Sequence, residues 1–299
     1  MTTLNIFAPG GVEWRSAALR LARQRLATLG FEVTLDASVR ARHQRFAGDD
    51  DARLATLYRV ADAAPSVALA CRGGYGLTRL LDRMDWARLA RSVEAGTRWV
   101  GYSDLTALQL GLLAHTGART WHGPMACDDF GRDDEAGGVD DVTRDCFKEA
   151  MSGELEAVGF RTAPGLDGLA ARGVLWGGNL AMICSLLGTP HFPKIKGGIL
   201  FVEDVAEHPY RIERMLLQLH QAGVLGAQKA ILLGAFTDWR KSPLDRGYTL
   251  ASAVAHLRSV CRTPIVTGLP FGHVQPKVTL PVGARVQLLV DGRDVLVGW

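Results

Sequence analysis

The sequence predicts an α/β protein, with an N-terminal parallel-sheet domain followed by a smaller mixed α/β domain. Three observations carry this reading. Through residues 1–125, short apolar strand-like runs alternate with helical patterns, and strands separated by helices pair in parallel because a parallel return needs a crossover. Residues 126–172 turn acidic and glycine-rich at DDFGRDDEAGGVDD, as expected of a connecting region. The tail KVTLPVGARVQLLVDGRDVLVGW alternates apolar and polar residues around an Asp-Gly turn, which predicts antiparallel strands closing a domain over 173–299. A chain of 299 residues is long enough for two such cores.

Taken in order, LNIFA reads as a strand, a Gly-Gly turn follows, and Glu13 to Leu29 has a helical pattern ended by Gly30. FEVTL is a second strand, 51–64 helical, SVALAC a third strand and 77–84 helical. TRWVGY is a fourth strand, 105–116 a helix, and RTWHG a short fifth strand. The connecting region holds a short helix and the hairpin-like ELEAVGF. Beyond it lie VLWGGNLAMICSLLGTP, the apolar strand GGILFVED, a helix over 210–222, the strand AILLGAF, a helix around 250–260 and PIVTGLPFG.

Composition narrows the function class. Hydrophobic residues make up 47% and charged residues 22%, the balance of an ordinary globular protein. A formal charge of +3, with arginine-rich and acidic stretches interspersed, lacks the concentrated basic stripe of a nucleic-acid binder. No run approaches a membrane span. The start, MTTLNIFAPGGVEWR, has no basic and apolar leader, so the cytoplasm is expected. Five cysteines, scattered and never spaced C-x-x-C, argue for a reducing compartment and against a disulfide frame or structural zinc.

The residues that could carry chemistry cluster at predicted strand ends, where open α/β sheets bind ligands. Ser103 lies at the corner of GYSD, between a strand and a helix. Two readings stand at this point: a helix cap, or a nucleophile on a sharp strand-to-helix turn. A serine nucleophile needs a base, and the base an orienting acid. His273, in LPFGHVQPK, projects after a strand, as does His122 in WHGP, whereas His115, His220 and His256 sit in helices. Glu203 and Asp204 end the apolar strand GGILFVED, where they either serve the chemistry or pair with Arg211 or Arg214. The loop Arg72-Gly73-Gly74-Tyr75-Gly76 fits neither dinucleotide nor P-loop spacing, but glycines there bring backbone amides close to a developing oxyanion. Cys71, just before it, reads as a small core residue rather than a nucleophile.

In order, RGGYGLTRLL, GYSDLTAL, WHGP, WGGNL, FVEDVAEHPYRIERML and GLPFGH resemble the LD-carboxypeptidase family of serine peptidases, across nearly the whole chain. That family includes the muramoyltetrapeptide carboxypeptidases of cell-wall recycling and the microcin C immunity peptidases. The resemblance implies Ser103 as nucleophile, Glu203 as acid and His273 as base, with backbone amides of Asp104 and Gly74 holding the oxyanion. It places Asn179 on the substrate side, and Arg72 is a candidate for reading the terminal carboxylate. It further implies an active site in the cleft between the domains, a homodimer, no metal or organic cofactor, and a murein tetrapeptide losing its terminal D-Ala as substrate. Hydrolysis of peptidyl-nucleotides, or non-catalytic binding of cell-wall peptides, are the alternatives. Neither nucleic acid nor membrane is expected as a partner.

Overall fold

Six strands in one sheet and seven in another organise the chain. In the computed structural model, which describes residues 2–299, the strands are β1 (Thr2–Phe7), β2 (Phe31–Leu35), β3 (Val67–Ala70), β4 (Arg98–Gly101), β5 (Thr120–His122), β6 (Ala157–Arg161) and β7 (Ala170–Asn179). They continue as β8 (Ile199–Val205), β9 (Ala230–Thr237), β10 (Ile265–Thr267), β11 (Leu280–Val282), β12 (Arg285–Asp291) and β13 (Asp294–Gly298). The helices are α1 (Ser16–Thr28), α2 (Asp50–Ala63), α3 (Trp86–Glu94), α4 (Leu105–Thr116), α5 (Asp141–Ser152), α6 (Leu180–Leu186), α7 (Pro209–Gln221) and α8 (Leu250–Val260).

Contacts divide the chain into two units. The first comprises the residues up to Leu155 with Thr189–Pro193 and Pro276–Gly283. Its sheet runs β11-β5-β4-β3-β1-β2, with β1 to β5 parallel and β11 antiparallel to β5 at the edge. The central strand β3 is Val-Ala-Leu-Ala, buried at every position, as a strand covered on both faces must be. Leu4, Ile6, Val67, Leu69 and Val100 from the sheet pack with Leu19, Ala22 and Leu26 of α1. The stretch expected to connect two domains contributes to this core as well. It forms one π-helical turn at Ala126–Phe130 and then α5, which together bury Phe130, Phe147, Ala150 and Met151.

The second unit comprises Glu156–Gly188, Lys194–Gln275 and Ala284–Trp299. Its sheet order is β10-β9-β8-β7-β12-β13-β6. The first four strands are parallel and the rest antiparallel, so the sheet is mixed. The β12–β13 hairpin turns at Gly292-Arg293, as the Asp-Gly signal predicted.

One helix differs from expectation. Residues 77–84 form two short 3-10 turns, and the α-helix is α3, beginning after Asp85, whose side chain accepts from the Arg88 amide. A cap that satisfies a first-turn amide sets a helix start more firmly than a short apolar pattern does. Among the described residues no helix is long and apolar enough to cross a membrane.

Candidate active site

In the first unit, β4 delivers the chain to Tyr102-Ser103-Asp104, and α4 leads it away. Ser103 has φ 60, a left-handed backbone that costs a non-glycine residue about 1–3 kcal/mol. The N-cap position belongs to Asp104, and the Ser103 carbonyl accepts from the Thr106 amide at 2.9 Å. Ser103 therefore sits one residue outside the cap, on a strained corner beside the positive end of the α4 dipole.

The glycine-rich loop after β3 is built to meet it. A methyl group placed on Gly73 would lie 2.9 Å from Ser103 Cβ and 3.1 Å from its Oγ, so only a bare Cα fits. Gly74 has φ 101 and packs on Gly11. Arg72 clamps this arrangement: its guanidinium Nη1 donates to the Val12 carbonyl at 2.9 Å. Glu13, next along, is buried. Burial opposes its charge, but hydrogen bonds from the Arg15 side chain and backbone, with the charges of Arg15 and Arg72, outweigh it and hold its carboxyl below the usual range.

Behind the corner lies a feature that sequence reading missed. Lys277 is only 1% exposed, yet its Nζ is 2.8 Å from Asp129 Oδ1 and 3.9 Å from the centre of the Tyr102 ring. Asp129 Oδ2 also accepts from the Met125 amide at 2.8 Å. The ammonium thus braces the residue preceding Ser103 by charge pairing and a cation–π contact. A lysine four residues after His273 gave no sign of this, because its partners are far away in sequence.

In the second unit, Glu203 follows the apolar run of β8 and is itself fully buried. Its Oε2 is 2.8 Å from His273 Nδ1. With the carboxylate ionised, Nδ1 carries the proton and donates, which leaves Nε2 as the basic nitrogen. The other oxygen, Oε1, accepts from Asn179 Nδ2 at 3.2 Å, and the same amide nitrogen donates to Asp204 Oδ1 at 2.9 Å. The Asn179 oxygen accepts from the Met182 amide and so caps α6. Expected on the substrate side, Asn179 is buried and its side chain spans both acids.

Asn179 pairs with Glu203 in register across β7 and β8, whereas on the other side of β8 its pairing with β9 shifts register between Val202 and Asp204. Neighbouring residues of a regular strand point to opposite faces. The irregularity falls where Glu203 and Asp204 both meet one amide. Close approach of β7 to β8 needs Gly177, where a methyl would fall 1.8 Å from the Phe201 carbonyl oxygen. Burial pushes the Asp204 carboxyl up to about 6, against hydrogen bonds from Asn179 and from the Val205 and Ala181 amides. Neither Arg211 nor Arg214 pairs with these acids; Arg211 binds Glu207.

Among the described residues, Glu13, Cys71 and Cys127 are the group whose atoms lie close enough to hold a metal. The two sulfurs are 3.3 Å apart and buried. The Cys71 hydrogen bond and burial push the Cys127 thiol up, while Glu13 is already matched by Arg15. Cys71 is thus part of the core, as its strand-end position suggested.

The LD-carboxypeptidase N-terminal domain model matches residues 4–123, and the LD-carboxypeptidase C-terminal domain model matches residues 172–288. A crystal structure of muramoyltetrapeptide carboxypeptidase from Oxalobacter formigenes is similar at TM-score 0.90 and 41% identity, over 99% of this chain and 98% of that one. A Bacillus subtilis protein named as a probable murein peptide carboxypeptidase is 32% identical over 268 residues, 88% of this chain and 81% of its own. The microcin C7 self-immunity protein shares the fold, at TM-score 0.86 and 20% identity over 100% of this chain and 96% of that one.

Proposed function

Because this chain belongs to the LD-carboxypeptidase family of serine peptidases, we propose that it removes the terminal D-Ala of murein tetrapeptides by acyl transfer to Ser103. Ser103 Oγ attacks the carbonyl of the bond joining an L-centre to D-Ala. His273 Nε2 takes the hydroxyl proton and later delivers it to the departing amine, and water then releases the acyl group from the serine. Glu203 holds the ring tautomer and stabilises the imidazolium. The amides of Asp104 and Gly74 take the oxyanion, and Gly73 leaves the space beside the hydroxyl.

The observation that carries this reading is the buried Glu203 carboxylate, 2.8 Å from His273 Nδ1. A buried carboxylate aligned on an imidazole is the arrangement a serine nucleophile needs from its base. The left-handed corner at Ser103 supports the same reading. Asn179 positions Glu203, and Arg72 orders the glycine loop through Val12. In this proposal the enzyme works in the cytoplasm on recycled wall peptides, and it pairs into a homodimer through the exposed Leu289 and Leu296 of the β12–β13 face.

The test is incubation with L-Ala-γ-D-Glu-meso-diaminopimelate-D-Ala, with a peptidyl-nucleotide in parallel. Free D-Ala from the tetrapeptide, abolished in Ser103→Ala, is expected. Glu203→Gln should lower kcat far more than Asp204→Asn. Release by Ser103→Ala at the unmodified rate defeats the serine mechanism.

A further inference from the structure

We propose that a cavity at the start of α1 binds a diphosphate ester, two linked phosphates carried on an apolar body. The cavity measures about 440 Å³, within the range of small-molecule sites, and lies wholly within the first unit. Arg20 and Arg23 line it from α1, and Arg40 and Arg42 from the turn after β2. All four are exposed, and none of their side chains has an ion pair or hydrogen bond with another described residue.

Nearby carboxylates are already committed. Glu13 is held by Arg15, and Asp36 by Arg59. On the same helix, Arg25 is bound to the Phe130 and Arg132 carbonyls and to Asp134. Four unpaired guanidinium groups therefore share one space, and the single carboxylate in its lining, Glu13, is already matched by Arg15. Guanidinium forks match phosphate oxygens two at a time, and their mutual repulsion is relieved only by an anion of high charge. Ser16, the first residue of α1, also lines the cavity, and the helix has no side-chain cap, so its positive end adds to the same field.

The floor is of another kind. Leu19 and Val39 are buried and Leu35 half-buried, so part of the lining is hydrocarbon. Inorganic phosphate would leave that surface wet, whereas an ester's organic portion would cover it. Arginines above an apolar floor thus specify the ligand class: charge at the rim and a nonpolar body beneath.

Isothermal titration of the whole protein with inorganic pyrophosphate, and separately with ADP, tests this without any peptide substrate. Failure here leaves the peptidase reading standing, and the reverse holds too. Each probe should saturate one site, ADP about threefold or more tighter than pyrophosphate, with affinity falling as salt rises from about 50 to 200 mM. Arg20→Gln/Arg40→Gln should weaken both probes by about tenfold or more, while Arg119→Gln, at an exposed arginine elsewhere, should bind as the unmodified protein does. Circular dichroism checks that each variant is folded. Absence of saturable binding at millimolar probe and low salt would overturn the proposal. So would equal loss in Arg119→Gln, or binding undiminished in the double variant. ADP binding no tighter than pyrophosphate would overturn the ester.

Discussion

Gly73→Ala is the sharpest perturbation of the surroundings of Ser103, the proposed nucleophile. The new methyl would start 2.9 Å from Ser103 Cβ, 3.1 Å from Oγ and 3.5 Å from Met125 Cε. Carbon atoms rest about 3.5–4.0 Å apart, so the methyl and the serine must separate by roughly 0.5–1 Å. Met125 is already at contact distance, and Ser103 is held on a left-handed corner between β4 and α4. Overpacking of this kind costs about 1–3 kcal/mol of stability, which a domain of this size survives. A displacement approaching 1 Å at the reacting oxygen is worth about 100-fold in rate. The expected result is a folded protein with slightly lowered Tm and kcat/KM for the tetrapeptide down about 100-fold. D-Ala release coupled to D-amino-acid oxidase reads the rate, and circular dichroism the melting. Gly226→Ala is the control, because a methyl there meets nothing within 4 Å. If folded Gly73→Ala works within twofold of the unmodified rate, the space beside the hydroxyl is not used as argued.

Asn179→Ala should lower kcat by about 10- to 100-fold with little change in KM, because the residue orients Glu203; a raised KM at unchanged kcat would instead return Asn179 to the substrate side. Asp204 yields a pH prediction. Its carboxyl ionises near 6 when folded against an ordinary 3.8, so its charge costs the folded state about 3 kcal/mol. That stability is fully present below about pH 4 and lost as pH rises through about 6. Denaturant melts of Asp204→Asn should therefore show a shallower fall over this window than the unmodified protein, and an identical slope would refute the account. Lys277→Met leaves Asp129 buried without its cation and should cost about 3–5 kcal/mol; adding Asp129→Asn should recover part of it, as thermal melts will read.

Much of this arrangement was legible in the chain. FEVTL and residues 105–116 coincide with β2 and α4, and apolar runs ending in Gly-Tyr-Ser-Asp and Glu-Asp mark strand ends where polar groups collect. The six segments in order pointed to the family that the domain models match. What stayed hidden depends on contacts between distant residues. No local pattern announces that Asn179 spans two acids, that Gly73 must lack a side chain for Ser103, or that Lys277 braces Tyr102. Residues 126–172 looked like a connection because acids and glycines dominate their start, yet Phe130 and Phe147 meet edge to face, ring centres 5.1 Å apart, inside the core. Composition averaged over a window cannot weigh a few large side chains that happen to be inside.

Residues 276–283 give the first unit both its outermost strand, β11, and the cation facing Asp129. The two matched family modules are consequently not free-standing cassettes. A gene cut after Leu155, where the first unit's continuous stretch ends, would translate into a sheet with a bare β5 edge open to pairing with other chains, and with Asp129 orphaned inside it. Recombination that swaps the second module must carry a matching lysine and edge strand along with it, so the ancestry of the two modules is tied by a few residues near the far end of the polypeptide.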